Sequence, residues 1–346
     1  MRRTLKNIIG KSLKPFIIAE ISANHNGSLN KAKKMIAAAK NAGASAVKIQ
    51  TYEADNMTIN IKKSDFKIKH GLWKGQQLFD LYKSAQTPFS WHKSLFEHAR
   101  KEGITIFSTP YDHKGVDLLE ELKVPFYKIA SFEITDLPFI EYVACKKKPI
   151  MLSTGMSNEN EIGEALEVIK SKGVNDILLF HCISSYPAKV QEYNLFMIKT
   201  LEKEFKTLIG LSDHTLGAQA ALAAIALGAV AVEKHFKLNK KDVSPDSKFS
   251  SDPKEISKLV YDTTEVWKAL GSGKYKRTLE EKRNLSFRRS LYFIRDLKKG
   301  TKITKNDIKS IRPGYGLKPK NLPVILTKKT KKNVKAGDRV TWDNII

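Results

Sequence analysis

Apolar and polar positions alternate in a repeating order through the first two-thirds of the chain. Short runs rich in β-branched and aromatic residues are separated by longer segments with apolar residues at helical spacing. The runs predict strands at Phe16–Ser22, Ala46–Tyr52, Ile104–Thr109, Phe126–Ser131, Pro149–Thr154, Asp176–Cys182, Leu208–Asp213 and Val230–Phe236. The segments between and after them predict helices at Leu29–Asn41, Ser90–Glu102, Lys114–Leu122, Pro138–Cys145, Glu159–Lys170, Leu195–Glu204, Ala218–Leu227 and Pro253–Leu270.

This repeat of eight strand–helix units favours an α/β fold of the TIM (β/α)8 barrel type over residues 1–270. A doubly wound open sheet is the alternative. The first predicted strand is not followed by the G-x-G-x-x-G turn that marks the dinucleotide-binding form of that sheet. We therefore expect the strands to close into a barrel.

One long connection interrupts the repeat between the second strand and its helix, from Glu53 to Thr87. It contains the phrase GLWKGQQLFDLYKSA, which is too apolar for a plain linker. A long connection after a barrel strand lies on the catalytic face, so we expect it to form part of an active-site wall.

The last part of the chain differs from the repeat. Residues 271–289 are glycine-containing and highly charged, which is typical of a linker. Residues 290–346 contain tight turns and two similar phrases, DLKKGTKIT and NVKAGDRVT, and predict a second, small β-rich domain.

Composition narrows the possible functions. The net charge of +25 could indicate nucleic-acid binding, but the basic residues are spread widely and lack interleaved aromatic residues. An anionic small substrate fits better. No apolar run is long enough to span a bilayer. Cys145 and Cys182 form no C-x-x-C pattern, which favours the reducing cytoplasm.

Polar residues stand at the carboxyl end of every predicted strand, where barrel enzymes carry their chemistry. In chain order they are Glu20; Lys48 and Gln50; Ser108 and Thr109; Lys128 and Ser131; Ser153 and Thr154; His181; Ser212, Asp213 and His214; Glu233 and His235. Any one of them could be a helix cap or turn residue. Their presence at all the strand ends favours a single active site.

The types of residue indicate which chemistry that site could perform. Lys48 and Lys128, with the serine hydroxyls, suit a phosphate and a carboxylate. His214 and His235 end neighbouring strands, so their imidazoles could bind one metal ion and leave positions for water and substrate. Hydrogen-bonding histidines in a packed core are the alternative.

Several phrases occur in an order that resembles the sialic acid synthase family over nearly the whole chain. They are IIAEISANHNGSL, GASAVKIQTY, STPYD, YKIASFE, PIMLSTGM, LIGLSDHT, VEKHF and, near the C-terminus, IRPGYG. The resemblance implies a TIM barrel joined to a small antifreeze-like (SAF) domain. It also implies a homodimer in which the small domain of one subunit caps the barrel of the other. The implied reaction is condensation of phosphoenolpyruvate with an N-acetylated amino sugar and release of phosphate.

The resemblance also implies roles for individual residues. Glu20, Glu133, Lys48 and Lys128 occupy catalytic positions. The phosphoenolpyruvate site would comprise Lys48, Thr109, Lys128, Ser131, Ser153, Ser184 and Ser212, and the sugar site Glu20, Glu133, Tyr186, Asp246 and Arg312. His214 and His235 match ligands of a divalent metal, most often Mn²⁺, with Mg²⁺ or Co²⁺ as alternatives. Ser184 departs from the family, which often has asparagine there.

Two phrases bear on the substrate. GLWKGQQLFDLYKSAQTP and SPDSKFSSDP resemble the pseudaminic acid synthase branch of the family more than the neuraminic acid synthase branch. That favours a 2,4-diacetamido-2,4,6-trideoxy hexose, with N-acetylmannosamine as the alternative. A Schiff-base aldolase that uses Lys128 is a more distant alternative.

Overall fold

The computed structural model describes residues 4–346, so the first three residues of the predicted barrel domain lie outside it. The first eight strands are β1 Phe16–Glu20, β2 Ala46–Thr51, β3 Thr105–Pro110, β4 Tyr127–Ile129, β5 Ile150–Ser153, β6 Ile177–Cys182, β7 Leu208–Asp213 and β8 Ala231–His235. They form a closed barrel in chain order, in which β8 pairs in parallel with β1. The expected TIM barrel is confirmed.

Helices surround this barrel. They are α1 Leu29–Asn41, α2 Ala54–Met57, α3 Leu78–Ala85, α4 Phe89–Glu102, α5 His113–Glu121, α6 Leu137–Cys145, α7 Glu159–Ser171, α8 Met197–Phe205, α9 Gln219–Ala226 and α10 Pro253–Leu270. The barrel strands are buried almost throughout, as expected when helices cover a parallel sheet. Branched and aromatic side chains such as Ile17, Phe107 and Phe180 fill the core.

The ends of the elements follow local chemistry. Helix α7 begins after Asn158, whose side chain accepts from the backbone N–H of Glu161, while the Glu161 carboxylate accepts from the N–H of Asn158. Asp252 and Glu255 form the same reciprocal cap at α10. Strand β4 is shorter than predicted because the chain turns into a 3-10 helix at Ser131–Glu133.

The connection between β2 and α4 is ordered by its own short elements. It contains α2, a 3-10 turn at Ser64–Phe66 and α3, and Lys67 pairs with Gln77 in a single antiparallel bridge. The sequence pattern predicts no helix in this connection, because neither helical segment is long enough to establish a period. The Trp73 indole N–H donates to the carbonyl of Pro245 at 3.1 Å, which attaches the connection to the segment after β8.

The chain divides into two compact units, one ending at Gly271 and one spanning Ser272–Ile346. The second unit contains α11 Leu279–Arg283, α12 Leu322–Ile325 and the antiparallel pair β9 Ser290–Phe293 and β10 Ile308–Ile311. Its core includes Leu291, Phe293 and Val340. The domain boundaries at 270 and 289 stay predictions, and the segment predicted as a linker contains α11.

The two similar phrases of the second unit pair with each other. Leu297 of the first forms an antiparallel bridge with Val334 of the second. Each phrase turns at a glycine with positive φ, Gly300 at 84° and Gly337 at 92°, where a side chain would strain the backbone. In residues 4–346, no helix combines the length and the apolar character needed to traverse a bilayer.

Candidate active site

A cavity of about 350 Å³ opens at the carboxyl ends of the barrel strands. Its lining joins residues from all eight barrel strands or their exits with residues of the connection between β2 and α4. The sequence-predicted residues on its surface are Glu20, Lys48, Gln50, Lys128, Ser131, Glu133, Ser153, Tyr186, Ser212, His214, Glu233, His235 and Asp246. The barrel therefore brings together most of the residues selected from the strand ends and from the resemblance.

Three of the site residues implied by the resemblance do not line the cavity. Thr109 is fully buried behind the cavity surface, and its hydroxyl has no hydrogen-bond partner. Ser184 lies in the connection after β6, against Gly155. Arg312 is exposed and follows β10 in the second unit.

Some polar strand-end residues have structural partners instead. The Ser108 hydroxyl donates to the Ile49 carbonyl at 2.9 Å. The His181 Nε2 lies 2.6 Å from the Tyr193 carbonyl. Thr154 donates to the Phe180 carbonyl at 3.2 Å. Polarity at a strand end therefore did not by itself identify a residue of the cavity.

Four buried charged groups and one hydroxyl form the base of the cavity, which we call the charged floor: Glu20, Lys48, Lys128, Ser212 and Glu233. Lys48 Nζ lies 2.7 Å from Glu233 Oε1 and 2.8 Å from Glu20 Oε2. Lys128 Nζ lies 3.1 Å from Glu233 Oε2. The Ser212 hydroxyl donates to Glu233 Oε1 at 3.3 Å. Glu233 thus holds both ammonium groups in fixed positions.

Charge and burial compete on this floor. Burial alone would raise the pKa of Glu233, but Lys128 and Lys48 lower that pKa well below its usual range. Burial lowers the pKa of Lys48, and Glu233 opposes this effect. The carboxylate is thus held ionised in the floor, where it compensates the neighbouring cations.

His214 and His235 lie side by side above the floor, with ring centroids 5.5 Å apart. His214 Nδ1 lies 2.9 Å from the Ile183 carbonyl, which can only accept, so Nδ1 carries a proton and the neutral ring has its free lone pair on Nε2. Burial, then the neighbouring His214, holds the pKa of His235 well below its ordinary value. For His214, burial lowers the pKa but the neighbouring Cys182 raises it above its ordinary value. In its neutral form, an imidazole of either kind can bind a metal.

The donor set fits a catalytic metal rather than a structural one. His235 Nδ1 is buried without a hydrogen-bond partner and lies 3.7 Å from Asp246 Oδ2. Within residues 4–346, no group of three or more His, Cys, Asp and Glu side chains is arranged to hold a metal. A metal at the two imidazoles would therefore take its remaining ligands from water or substrate, as catalytic sites do.

Hydroxyl groups and one glycine form a second part of the cavity. The Gly155 N–H donates to the Ser131 hydroxyl oxygen at 3.0 Å, which leaves the Ser131 proton available to a ligand. The Ser153 hydroxyl is buried and has no partner. A Cβ at residue 155 would lie 2.8 Å from Ser131 Oγ and would clash with Ser184 Oγ, so only glycine allows this convergence.

The connection between β2 and α4 supplies the opposite side, which we call the insertion wall: Met57, Ile68, Trp73, Leu78, Leu81, Tyr82 and Ala85. None of these side chains is charged. The indole N–H of Trp73 already has the Pro245 carbonyl as its partner, and its ring lies 5.7 Å from that of Tyr186. The wall thus presents carbon surface to the cavity, as expected from the apolar phrase in this connection.

The sequence reasoning noted Glu233 at a strand end but assigned it no role, and it did not select Cys182, Tyr52 or Tyr111. All of them line the cavity. The signal for Glu233 was present, because it stands two residues before His235 and strand side chains alternate. The tyrosines follow β2 and β3 directly, where the same strand-end rule applies.

Comparison with known proteins agrees with this geometry. The NeuB family model matches residues 35–275, and the SAF domain model matches residues 288–346. The chain belongs to the NeuB family.

Two curated relatives of this NeuB-family chain are similar along nearly their full length. The pseudaminic acid synthase of Campylobacter jejuni is 46% identical over 94% of this chain and 95% of its own. That of Helicobacter pylori is 43% identical over 96% of this chain and 98% of its own. The crystal structure of an N-acetylneuraminic acid synthetase from Leptospira borgpetersenii, in complex with citrate, has a TM-score of 0.71 and 33% identity. It covers 79% of this chain and 90% of that one.

Proposed function

We propose that this NeuB-family chain is a transferase that condenses phosphoenolpyruvate with 2,4-diacetamido-2,4,6-trideoxy-altrose to give pseudaminic acid and phosphate. The observation that carries the proposal is the charged floor, in which Glu233 holds the ammonium groups of Lys48 and Lys128 at 2.7 and 3.1 Å beneath the two imidazoles. The 46% identity to a pseudaminic acid synthase supports the choice of sugar.

Phosphoenolpyruvate carries a carboxylate and a phosphate, and the floor offers cations and hydroxyl donors for both. Lys48 and Lys128 would bind these anionic ends, with the Ser153 and Ser131 hydroxyls as further donors. The positions of these groups are already fixed by Glu233 and Gly155. Little reorganisation is then needed on binding, which lowers the entropic part of the barrier.

The sugar would lie between the imidazoles and the insertion wall, where Tyr186 and Asp246 also face the cavity. A divalent cation held by His214 and His235, which we propose to be Mn²⁺, would supply Lewis-acid polarisation of the open-chain aldehyde. The chain's own contribution is to hold the phosphoenolpyruvate C3 atom against that aldehyde carbon.

Bond formation between these two carbons leaves positive charge at C2, and water adds there. The resulting adduct expels phosphate by C–O cleavage. We assign Glu20, ion-paired with Lys48, to the water or the developing charge, and Glu133 to the sugar hydroxyls. Burial raises the pKa of Glu133 to about 7, which would also let it exchange a proton near neutral pH, so the two roles could be reversed.

We also propose a homodimer in which the second unit of one subunit covers the barrel of the other and brings Arg312 to the sugar. Apolar side chains in the connections after β4 to β8 support this idea. Phe132, Met156, Phe196, Leu216 and Val243 are each more than half exposed in the single chain. A cytoplasmic location belongs to the same proposal, since both cysteines are free.

The test is phosphate release from phosphoenolpyruvate with purified protein and a panel of amino sugars, each with and without Mn²⁺ after chelation. We expect the 2,4-diacetamido-2,4,6-trideoxy sugar to give the highest kcat/KM and chelation to abolish turnover. N-acetylneuraminate synthase activity is the alternative, and a higher kcat/KM with N-acetylmannosamine would establish it.

Two controls separate the remaining alternatives. Borohydride with pyruvate should trap no adduct on Lys128, and a trapped adduct would instead indicate a Schiff-base aldolase. Mixing Arg312→Ala with Glu20→Ala subunits should restore some activity if the site is shared between chains. No recovery in verified heterodimers would contradict the sharing.

A further inference from the structure

A buried ion pair lies behind the two imidazoles, on the side of the barrel that does not face the cavity. Lys234 Nζ is 2.8 Å from Asp213 Oδ2, and the two residues are register partners in β8 and β7. Both side chains are almost fully buried, at 2% and 0% exposure. Neither lines the cavity.

The pair also fixes the backbone after β7. Lys234 Nζ donates to the Thr215 carbonyl at 2.8 Å. Asp213 Oδ1 accepts from the backbone N–H of Thr215 at 2.9 Å and from its hydroxyl at 2.7 Å. His214 lies between Asp213 and Thr215 in the chain, so hydrogen bonds fix the backbone on both sides of it.

The same lysine immediately precedes His235 in β8. One ion pair is therefore covalently adjacent to both imidazoles. A second brace acts from the opposite direction, since the Tyr193 hydroxyl accepts from the His214 N–H at 2.8 Å and donates to the Ser212 carbonyl at 2.9 Å. The separation of the two imidazole rings therefore depends on the contacts that fix the ends of β7 and β8.

Packing alone gives no reason for an ion pair at this place. The corresponding residues of other strands, one position before or after a cavity residue, carry no such ion pair: they are apolar, such as Ala19 and Ile49, or hydrogen-bonded, such as Thr154 and His181. Replacing a buried ion pair by apolar residues is often neutral or stabilising, so such a pair is weak evidence for a stability role. A role in geometry explains why charge is present only behind the imidazoles.

We propose that Asp213 and Lys234 are positioning residues that set the separation and orientation of His214 and His235. The inference rests on the proposed function, in which these imidazoles hold a divalent cation. Groups that orient metal ligands typically change metal affinity by about 10- to 100-fold when they are removed.

The test uses the double variant Asp213→Leu/Lys234→Met in the full chain, because removing only one partner would leave a buried charge. We expect both this variant and the wild type to unfold cooperatively, and the variant to bind Mn²⁺ about 10- to 100-fold more weakly by electron paramagnetic resonance. In the metal-free protein, we expect the imidazole ¹⁵N signals of His214 and His235 to shift.

The control is Lys258→Met/Asp262→Leu, which removes an exposed pair on α10 and should leave Mn²⁺ affinity unchanged. Asp213→Asn/Lys234→Met, which keeps an oxygen for Thr215 and leaves no buried charge, provides the same measurements if the first double variant does not fold. Wild-type Mn²⁺ affinity together with unmoved imidazole signals would overturn the proposal. The imidazole signals remain informative even if the protein has no synthase activity, so the two proposals can fail separately.

Discussion

The charged floor and the insertion wall face each other across one cavity but are built in opposite ways. The floor takes single residues from five strands and places charged groups at 2.7 to 3.1 Å from each other. The wall takes all of its residues from one connection and contains no charged group. The comparison indicates a division of work, with the shared chemistry on the strands and the choice of sugar on the connection.

Physical reasons favour this division. A buried charge is tolerated only when its partner is held in place, and strands of a closed barrel hold positions better than a connection does. An apolar wall needs only shape, and a connection can vary without disturbing the strands. A change in the floor should therefore affect every sugar alike, whereas a change in the wall should affect sugars differently.

Lys128→Met gives the largest expected effect. It removes one cation from the substrate site and leaves Glu233 with Lys48 alone. Breaking a buried ion pair costs about 3–5 kcal/mol, and we expect kcat/KM for phosphoenolpyruvate to fall about 1000-fold. Steady-state kinetics with two amino sugars should give the same factor for both.

The matched control is Lys268→Met, because Lys268 forms an exposed pair with Glu265 at 2.8 Å. Exposed pairs contribute about 0–1 kcal/mol, so activity should not change. A loss with Lys128→Met that differs strongly between the two sugars would contradict the division of work between floor and wall.

Gly155→Ala should give the next largest effect on activity. The added Cβ would clash with Ser184 Oγ and approach Ser131 Oγ to 2.8 Å, so the hydroxyl donors would have to move. A displacement near 1 Å can cost about 100-fold, and we expect a loss of that size in kcat/KM for phosphoenolpyruvate. Gly163→Ala in α7 meets no atom within 4 Å and should leave the kinetics unchanged. Equal effects of both variants would show that the hydroxyl groups next to Gly155 do not contribute to substrate binding.

The pH dependence of protein stability tests the state of Glu133, which lines the cavity but belongs to neither the charged floor nor the insertion wall. Burial raises its pKa to about 7 from 4.5, so the folded state keeps a proton that the unfolded chain loses between these values. The free energy of unfolding should fall over that range as pH rises, by about 2 kcal/mol. Glu133→Gln should remove this contribution in urea denaturation at pH 5 and pH 8. Parallel curves for variant and wild type would show that Glu133 is not the cause.

Most of the barrel could be predicted from sequence because its signal is repetitive. Eight apolar runs separated by helical periods favour a closed parallel sheet, and strand β7 was predicted with its observed limits, Leu208–Asp213. The strand-end rule selected Lys48, Lys128, His214 and His235, all of which line the cavity. Periodicity and strand direction are properties of the chain itself, so they can be read from it.

The remaining features depend on contacts between distant residues. The short helices α2 and α3 have too few turns to establish a period. The sequence does not show that Asp213 points away from the cavity toward Lys234, whereas Ser212 points toward Glu233. Such choices are decided by which partner each side chain meets across the sheet. The roles of Thr109, Ser184 and Arg312 stay predictions for the same reason.

Ile68→Thr gives the smallest expected effect and addresses the wall alone. A hydroxyl in this apolar surface would give a polar partner to a hydroxylated sugar and remove contact from a methyl group. A difference of one methyl or hydroxyl in an apolar pocket is worth about 1–3 kcal/mol. We expect the preference for the trideoxy sugar over N-acetylmannosamine, as a ratio of kcat/KM values, to fall about tenfold.

Ile59→Thr is the control, because Ile59 lies in the same connection, is 58% exposed and does not line the cavity. If Ile68→Thr lowered kcat/KM for both sugars by the same factor, the wall would take part in the chemistry and its contrast with the floor would fail.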